Sequence, residues 1–406
     1  MATLKHSRPL NGPAKRDTIL YIGGFRLPDV TASAQRALEN AVLFRELGYN
    51  VVLAGKLDLE RNGRDNPELK RTTIAGFDCY DIRHPDDNSH SPYDRSIGSV
   101  TAIADSIGRE KIHALIAYNY PAEALWKLIS FSRSNGIKPV AECTEWYGWE
   151  GRKFFRNAYR LALSEFRMRF AARRSGNVIC ASAYGMAFYK NQKTVRLPFV
   201  INANASKWTL AERTANGTIR RFVYAGSPGI GMVKDSLHTV IEAFSKIGNS
   251  HEFQFVVIGL TKDQFLKQCP SFASTVASLG DSLVFKGRLT HQETLKEIQI
   301  SDLFVFLRPE NRVSHFGFPT KLVEAFGCGV PTITNATSDI GDYISSWNNG
   351  VLVERPDSGL LAEALISAIE IPDAKLAEMK AACREQNPFH YMEFVDSVGD
   401  FLRNLR

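Results

Sequence analysis

The stretch GFPTKLVEAFGCGVPTITN, residues 317–335, places an entry turn, a short helix and a glycine-rich exit in close succession. On a helix starting at Thr320, residues Thr320, Lys321 and Glu324 fall on one side and Leu322, Val323 and Phe326 on the other. The apolar side packs. Pro319 suits the entry, and the free N–H groups after it, the helix dipole and the Lys321 charge together form an anion site fit for a phosphate. Glu324, one turn inside, is placed to accept hydrogen bonds from a vicinal diol such as a ribose. The same pattern also describes a capped surface helix with a solvated glutamate.

Upstream, YAGSPGIGMVKDS (224–236) follows a strand and leads into a helix. Gly226, Gly229 and Gly231 let the backbone approach a ligand, and Lys234 can neutralise a phosphate at the helix start. The G-K-[ST] ending of a Walker loop and the G-x-G-x-x-G fingerprint are both missing. A plain βα turn reads equally well from this segment alone. Taken together, the two segments end strands of one parallel sheet, which is where open α/β sheets bind nucleotides.

Working outward, TILYIG, YNVVLAG, IHALIAY, KPVAEC and NVICAS alternate with amphipathic stretches in the first half, and RRFVYAG, FQFVVIG, LVFKG, SDLFVFL, VPTIT and GVLV do so in the second. This predicts two α/β domains with helices on both sheet faces. Leu237, Val240, Ile241, Phe244 and Ile247 recur at helical spacing. Residues 198–219 lack periodicity, so the boundary is set near 200, giving domains 1–200 and 201–386. The amphipathic end, about 387–406, is free to pack back on the first.

The chain has 406 residues, a length that favours two cores over one. Six dispersed cysteines without a C-x-x-C pair read as reduced core thiols. No apolar run approaches the roughly 20 residues of a membrane span, and the opening lacks a signal-peptide core, so a cytoplasmic protein is expected. The formal charge of +7 suits an anionic partner: a nucleotide, a nucleic acid or a membrane surface. No nucleic-acid reading module is recognisable.

The order of a glycine-rich turn with lysine, G-R-L after a strand, and then GFPTKLVEAFGCGVPTIT resembles the nucleotide-sugar domain of two-Rossmann-domain (GT-B) glycosyltransferases, most closely retaining glycosyltransferase family 4. The resemblance extends loosely to GGFRLPDVTASAQRALENAVLFRELGYNVVLAGK at the start. It implies a GT-B fold and transfer from a nucleotide-diphosphate sugar, itself a substrate, to a glycan or lipid-linked acceptor in cell-surface polysaccharide synthesis. No cofactor and no metal are implied. By the same resemblance Glu324 binds the ribose, and Lys234 and the backbone at Thr320 and Lys321 hold the diphosphate. Gly226 and Ser227 line the donor, Gly287 and Arg288 flank the base, and Gly23 and Gly24 form a turn on the first domain.

Two positions depart from the family. Phe316 stands where its first motif glutamate would be, and Ser227–Pro228 where an arginine is common. Arg308, at the end of SDLFVFLRP, is the candidate replacement cation, or else an ordinary surface arginine. Lys234, Glu145 and Arg308 form the expected catalytic set. In PVAECTEWYGWEGR, Glu142, Glu145, Trp146, Tyr147 and Trp149 end a strand facing the cleft. With Phe25, the residues Glu145, Trp146 and Tyr147 are the expected acceptor contacts; rings stack on sugar faces and a carboxylate orients a hydroxyl. Core or lid packing is the alternative for the tryptophans.

Residues 149–177 carry Arg152, Lys153, Arg156, Arg160, Arg167, Arg169, Arg173 and Arg174 against Glu150 and Glu165. This basic helix fits peripheral contact with the inner face of an anionic membrane, or a solvated face. The rival functions are a nucleotide-sugar epimerase or phosphorylase on the same scaffold, and an inactive nucleotide-binding scaffold protein, which Phe316 and Ser227 suggest.

Overall fold

A computed structural model describes residues 17–28, 31–57, 70–82, 97–148, 154–208, 219–248, 251–385 and 387–406, with the side chains of 154–156 excepted. Trp149, Glu150, Arg152 and Lys153 lie outside these residues, as does the side chain of Arg156. Two compact units emerge: Met1–Glu142 with Phe170–Val178 and Val395–Arg406, and Cys143–Arg169 with Ile179–Phe394. The sequence sets its division near residue 200. Cys143–Arg169 goes with the second unit, where Glu165 pairs with Arg312 at 2.8 Å.

The first sheet contains β1 (Thr18–Leu27), β2 (Asn50–Leu57), β3 (Arg71–Ile74), β4 (Phe77–Asp81), β5 (Ile112–Tyr118), β6 (Lys138–Cys143), β7 (Asn177–Cys180) and β8 (Lys193–Arg196), in the order β3-β4-β2-β1-β5-β6-β7-β8. At the centre, Ile19 of β1 pairs with Val51 and Ala114 in parallel register. β1 is apolar on both faces, as a parallel strand covered by helices must be. Gly23 and Gly24 lie within this strand, and Gly23 pairs with Tyr118. They do not form the expected turn: the pairing slips between Ile22 and Arg26, and the Phe25 ring packs across Gly23.

Glu142 points inward and is fully buried, whereas the sequence reading faced it to a cleft. Its carboxylate accepts from Arg36 Nε at 2.6 Å, Tyr21 Oη at 2.5 Å and Asn40 Nδ2 at 3.3 Å. Burial, reinforced by the Glu142 charge, pushes the Tyr21 phenol well above its usual pKa. The C-terminal helix Val395–Arg403 buries Val398, Phe401 and Leu402, and the Leu402 carbonyl lies 3.0 Å from His113 Nε2.

The second sheet is wholly parallel: β9 (Arg220–Ala225), β10 (Phe253–Ile258), β11 (Leu283–Gly287), β12 (Leu303–Val305), β13 (Thr332–Asn335) and β14 (Gly350–Val353), ordered β11-β10-β9-β12-β13-β14. The helix Leu237–Ile247 buries the five predicted apolar residues, and Phe244 stacks on Phe255 at 4.3 Å. From β9 the chain proceeds outward to β10 and β11, then returns to β12 on β9's other side. The strand order therefore reverses between β9 and β12, and ligands of open parallel sheets bind outside the carboxyl ends at such a reversal. All six cysteines are free thiols, five of them buried. Among the described residues no helix is long and apolar enough to cross a membrane.

Removing one partner of a buried ion pair typically costs about 3–5 kcal/mol, because the other charge is left uncompensated. Arg36→Met is therefore expected to lower the stability of the first unit by that order. Urea unfolding followed by tryptophan fluorescence measures it, and an unchanged midpoint would show that Glu142 does not need the guanidinium.

Candidate functional site

The carboxyl ends of β9, β10 and β11 meet in glycines. Gly226 N–H donates to Ile258 O at 3.0 Å and Gly259 N–H to Gly287 O at 2.7 Å. Gly259, which the sequence reading passed over, has φ +114°, and a Cβ there would lie 2.2 Å from the Gly226 carbonyl oxygen. Only glycine allows these strand ends to approach so closely.

Gly226 has φ +134°, and its missing Cβ leaves room for Lys321, whose Cε and Nζ would lie 2.6 and 2.7 Å from it. Lys321 Nζ is 2.9 Å from Asp235 Oδ2, and Tyr224 Oη donates to the same oxygen at 2.8 Å. The ammonium also sits 5.6 Å from the Tyr224 ring centroid. Burial first, and the Asp235 charge second, push the Tyr224 phenol well above its usual pKa.

Lys234 lies at the other side of the same turn. Its N–H donates to Pro228 O at 3.0 Å, and its half-exposed ammonium is 3.5 Å from Glu145 Oε1. Ser227 Oγ accepts from Gly229 N–H at 3.4 Å, a local turn contact. Ser236 N–H donates to Leu307 O at 2.8 Å, fastening this segment to the end of β12.

Arg308 is not a surface arginine. It is buried, and its Nη1 donates to Ser314 O at 3.0 Å and Gly317 O at 3.3 Å, so it braces the loop leading into the helix Thr320–Gly327. Burial lowers its pKa from the usual guanidinium value, an effect opposed by the charges of Asp235 and Glu145.

Pro319 occupies the N-cap of the helix Thr320–Gly327 without a side-chain cap bond, while Leu322, Val323, Ala325 and Phe326 are buried as the pattern predicts. Glu324 is not solvated. Its Oε1 lies 3.3 Å from His291 Nε2, and both side chains are mostly buried. His291 begins the helix His291–Gln299, behind a capping box of Thr290 and Glu293. The sequence signal was present in GRLTHQE, three residues past Arg288, but nothing local paired it with Glu324. Gly287 is buried at the end of β11, and Arg288 beside it is exposed.

Phe316 is fully buried. Its ring meets Trp146 edge-on at 5.5 Å, Tyr184 at 6.4 Å and Tyr189 at 6.5 Å. At the position where the resemblance implies a carboxylate, this chain has an aromatic cluster. Trp146 is 2% exposed; it packs on Phe188 at 4.6 Å, with the Arg312 guanidinium 4.3 Å from its centroid and Glu165 accepting from Nε1 at 3.0 Å. So covered, the ring serves packing rather than sugar stacking. Tyr147 lies under the Arg167 guanidinium at 5.2 Å, and Arg167, buried, also donates to the Glu145 carbonyl. Phe25 is fully buried within the first unit, against Gly23 and Gly55, and offers no surface to an acceptor.

The second unit thus brings together Gly226, Ser227, Lys234, Glu145 and Lys321, with Arg308 behind the loop and Gly287 reached through Gly259. Sequence reasoning missed Asp235, Gly259 and His291. Gly23, Gly24 and Phe25 belong to the other unit.

Residues 233–387 match the family model described as Glycosyl transferases group 1. The fold has the same architecture as a sucrose-phosphate synthase from Thermosynechococcus elongatus, with TM-score 0.69 and 16% identity over 96% of this chain and 98% of that one. HepE from Anabaena in complex with UDP-glucose superposes with TM-score 0.62 at 14% identity, covering 95% of this chain and 99% of that one. Among curated proteins, sucrose-phosphate synthase 4 of Arabidopsis thaliana is 24% identical over 148 residues, 34% of this chain but 14% of the relative's length. The fold is GT-B, and the family model matches residues 233–387, less than half of the chain.

Burying a carboxylate without a partner costs several kcal/mol or leaves it protonated. Phe316→Glu, which introduces the acid that the resemblance implies, is therefore expected to lower the melting temperature and to impair rather than improve activity. Differential scanning fluorimetry and a turnover assay check it; a stable, more active variant would mean that the aromatic cluster tolerates the family arrangement.

Proposed function

We propose that the protein is a retaining glycosyltransferase that moves a sugar from a UDP-linked donor to a hydroxyl of a glycan or glycolipid in polysaccharide assembly. The observation that carries this reading is the convergence, at the reversal point of the second sheet, of an uncapped helix start, two lysines and a mostly buried glutamate one turn further on. The diphosphate lies against the amides after Pro319 and the ammonium groups of Lys234 and Lys321. Glu324, oriented by His291, accepts from the ribose hydroxyls. Gly287 and Arg288 flank the base. UDP is favoured because HepE, which shares the fold, is seen with UDP-glucose.

In transfer, the glycosidic bond to the β-phosphate breaks and negative charge grows on the departing oxygen, which fixed cations and helix amides stabilise. The leaving phosphate accepts the acceptor's proton, so retention needs no dedicated carboxylate base. The same cations neutralise the diphosphate without calling on a metal ion. Glu145 holds Lys234 until the donor competes for it. Arg308 contributes through the loop it braces.

Peripheral contact with an anionic membrane is supported by Tyr159, Leu163 and Phe166, all exposed along the helix Phe154–Phe166, with Arg160 and Arg169 exposed beside them. Leu163→Asp is expected to reduce co-sedimentation with vesicles rich in phosphatidylglycerol; equal retention of wild type and variant, or of neither, would remove this contact.

A ligand at 100 times its dissociation constant stabilises a protein by about 2.7 kcal/mol. In a thermal-shift panel of UDP, GDP, dTDP and ADP, UDP is expected to raise the melting temperature of wild type and to do little for Glu324→Ala. Radiolabelled UDP-sugars then identify the transferred sugar. If none of the four nucleotides shifts wild type at millimolar concentration, the donor-site reading fails.

A further inference from the structure

We infer that Asp235 is a positioning residue for the donor's diphosphate, acting through Lys321, which it fixes beneath the Gly226 turn. The inference rests on the donor-site reading above and assigns a role to a residue that the resemblance leaves without one.

Asp235 directly follows Lys234, yet its carboxylate is buried, and the Lys234 ammonium is paired instead with Glu145. Asp235 Oδ2 receives Tyr224 Oη at 2.8 Å and Lys321 Nζ at 2.9 Å. Three elements are joined at one oxygen: the last turn of β9, the segment after the glycine loop, and the first turn of the helix Thr320–Gly327. A lysine side chain is long and rotamer-rich, and at a helix start it would otherwise extend into solvent. Here its stem is drawn into the space that a side chain at position 226 would fill, with Cε 2.6 Å and Nζ 2.7 Å from that missing Cβ.

An ammonium carries three donors. Asp235 is the acceptor found for Lys321 among the described residues, which leaves donors for a ligand at the glycine turn. The Lys321 side chain remains 16% exposed, so it is covered but not sealed. The carboxylate that holds it is 4% exposed, so it is more deeply covered than the ammonium it fixes. This arrangement pre-orders a cation next to the helix amides and avoids the entropy of immobilising a free lysine when the donor binds.

The experiment is isothermal titration of wild type, Asp235→Asn, Lys321→Met and the double variant with UDP, GDP, dTDP, ADP and the matching nucleosides. Asp235→Asn keeps the shape and an acceptor for Tyr224 but removes the charge that fixes Lys321. A charge-assisted hydrogen bond corresponds to about tenfold or more in affinity. Asp235→Asn and Lys321→Met are each expected to weaken the diphosphate by about tenfold, with the double variant no weaker than Lys321→Met and nucleoside affinity unchanged. A merely structural Asp235 would instead weaken nucleoside and diphosphate alike. That result, or an Asp235→Asn variant that binds the diphosphate as tightly as wild type or more so, overturns the inference while leaving the donor site standing. Should Asp235→Asn fail to fold, Tyr224→Phe, which removes one of the two donors to Asp235, is read in the same way, with a smaller diphosphate-specific loss expected. Failure of wild type to bind any of the four nucleotides removes the donor site and this inference together.

Discussion

The pairing of β9 with β12 is the constraint on which the candidate site depends. Leu303 lies opposite Phe222 and Phe304 opposite Val223, so two strands distant in sequence end side by side. Parallel strands require crossovers, and the crossovers leave this pair in opposite directions along the sheet. The glycine turn after β9 and the Arg308 loop after β12 are therefore neighbours, and the bond from Ser236 N–H to Leu307 O locks them. Had the chain returned to the outer edge of the sheet, Lys234 and the helix at Thr320 would have been separated by the width of several strands.

Around that seam the charges are sorted by depth. Arg308 is buried and bonds carbonyl oxygens; Asp235 is buried and bonds a phenol and an ammonium; Lys321 is mostly covered; Lys234 and Glu145 are half exposed. The inner groups set backbone and side-chain positions, and the outer ones reach solvent. This layering suits electrostatic stabilisation of a developing charge, because cations held in place need no reorganisation as that charge appears. Phe316 extends the same logic on the neighbouring side, where an aromatic cluster of Trp146, Tyr184 and Tyr189 supplies rigidity in place of an acid.

Much of this was legible in order along the chain. The helix Thr320–Gly327 buries the predicted face, the strand and helix alternation returns two α/β sheets, and the helix after Asp235 buries all five predicted positions. Glu145 was expected at an acceptor; the structure gives its carboxylate a partner in Lys234, which no local pattern indicated. The misreadings share one cause: Glu142, Phe25 and Trp146 were placed by their nearness to strand ends, but at a strand end alternate side chains turn inward, and the neighbouring element decides which are covered.

Local periodicity and turn chemistry determined by themselves which segments are strands and which face of each helix is apolar. Those properties depend on residues within one or two turns of one another. The tertiary structure alone decided that Lys321 turns back to Asp235, that Glu324 meets His291, and that Gly259 must be a glycine. Each of these joins groups 33 or more residues apart, through strand order, and no local pattern carries that information.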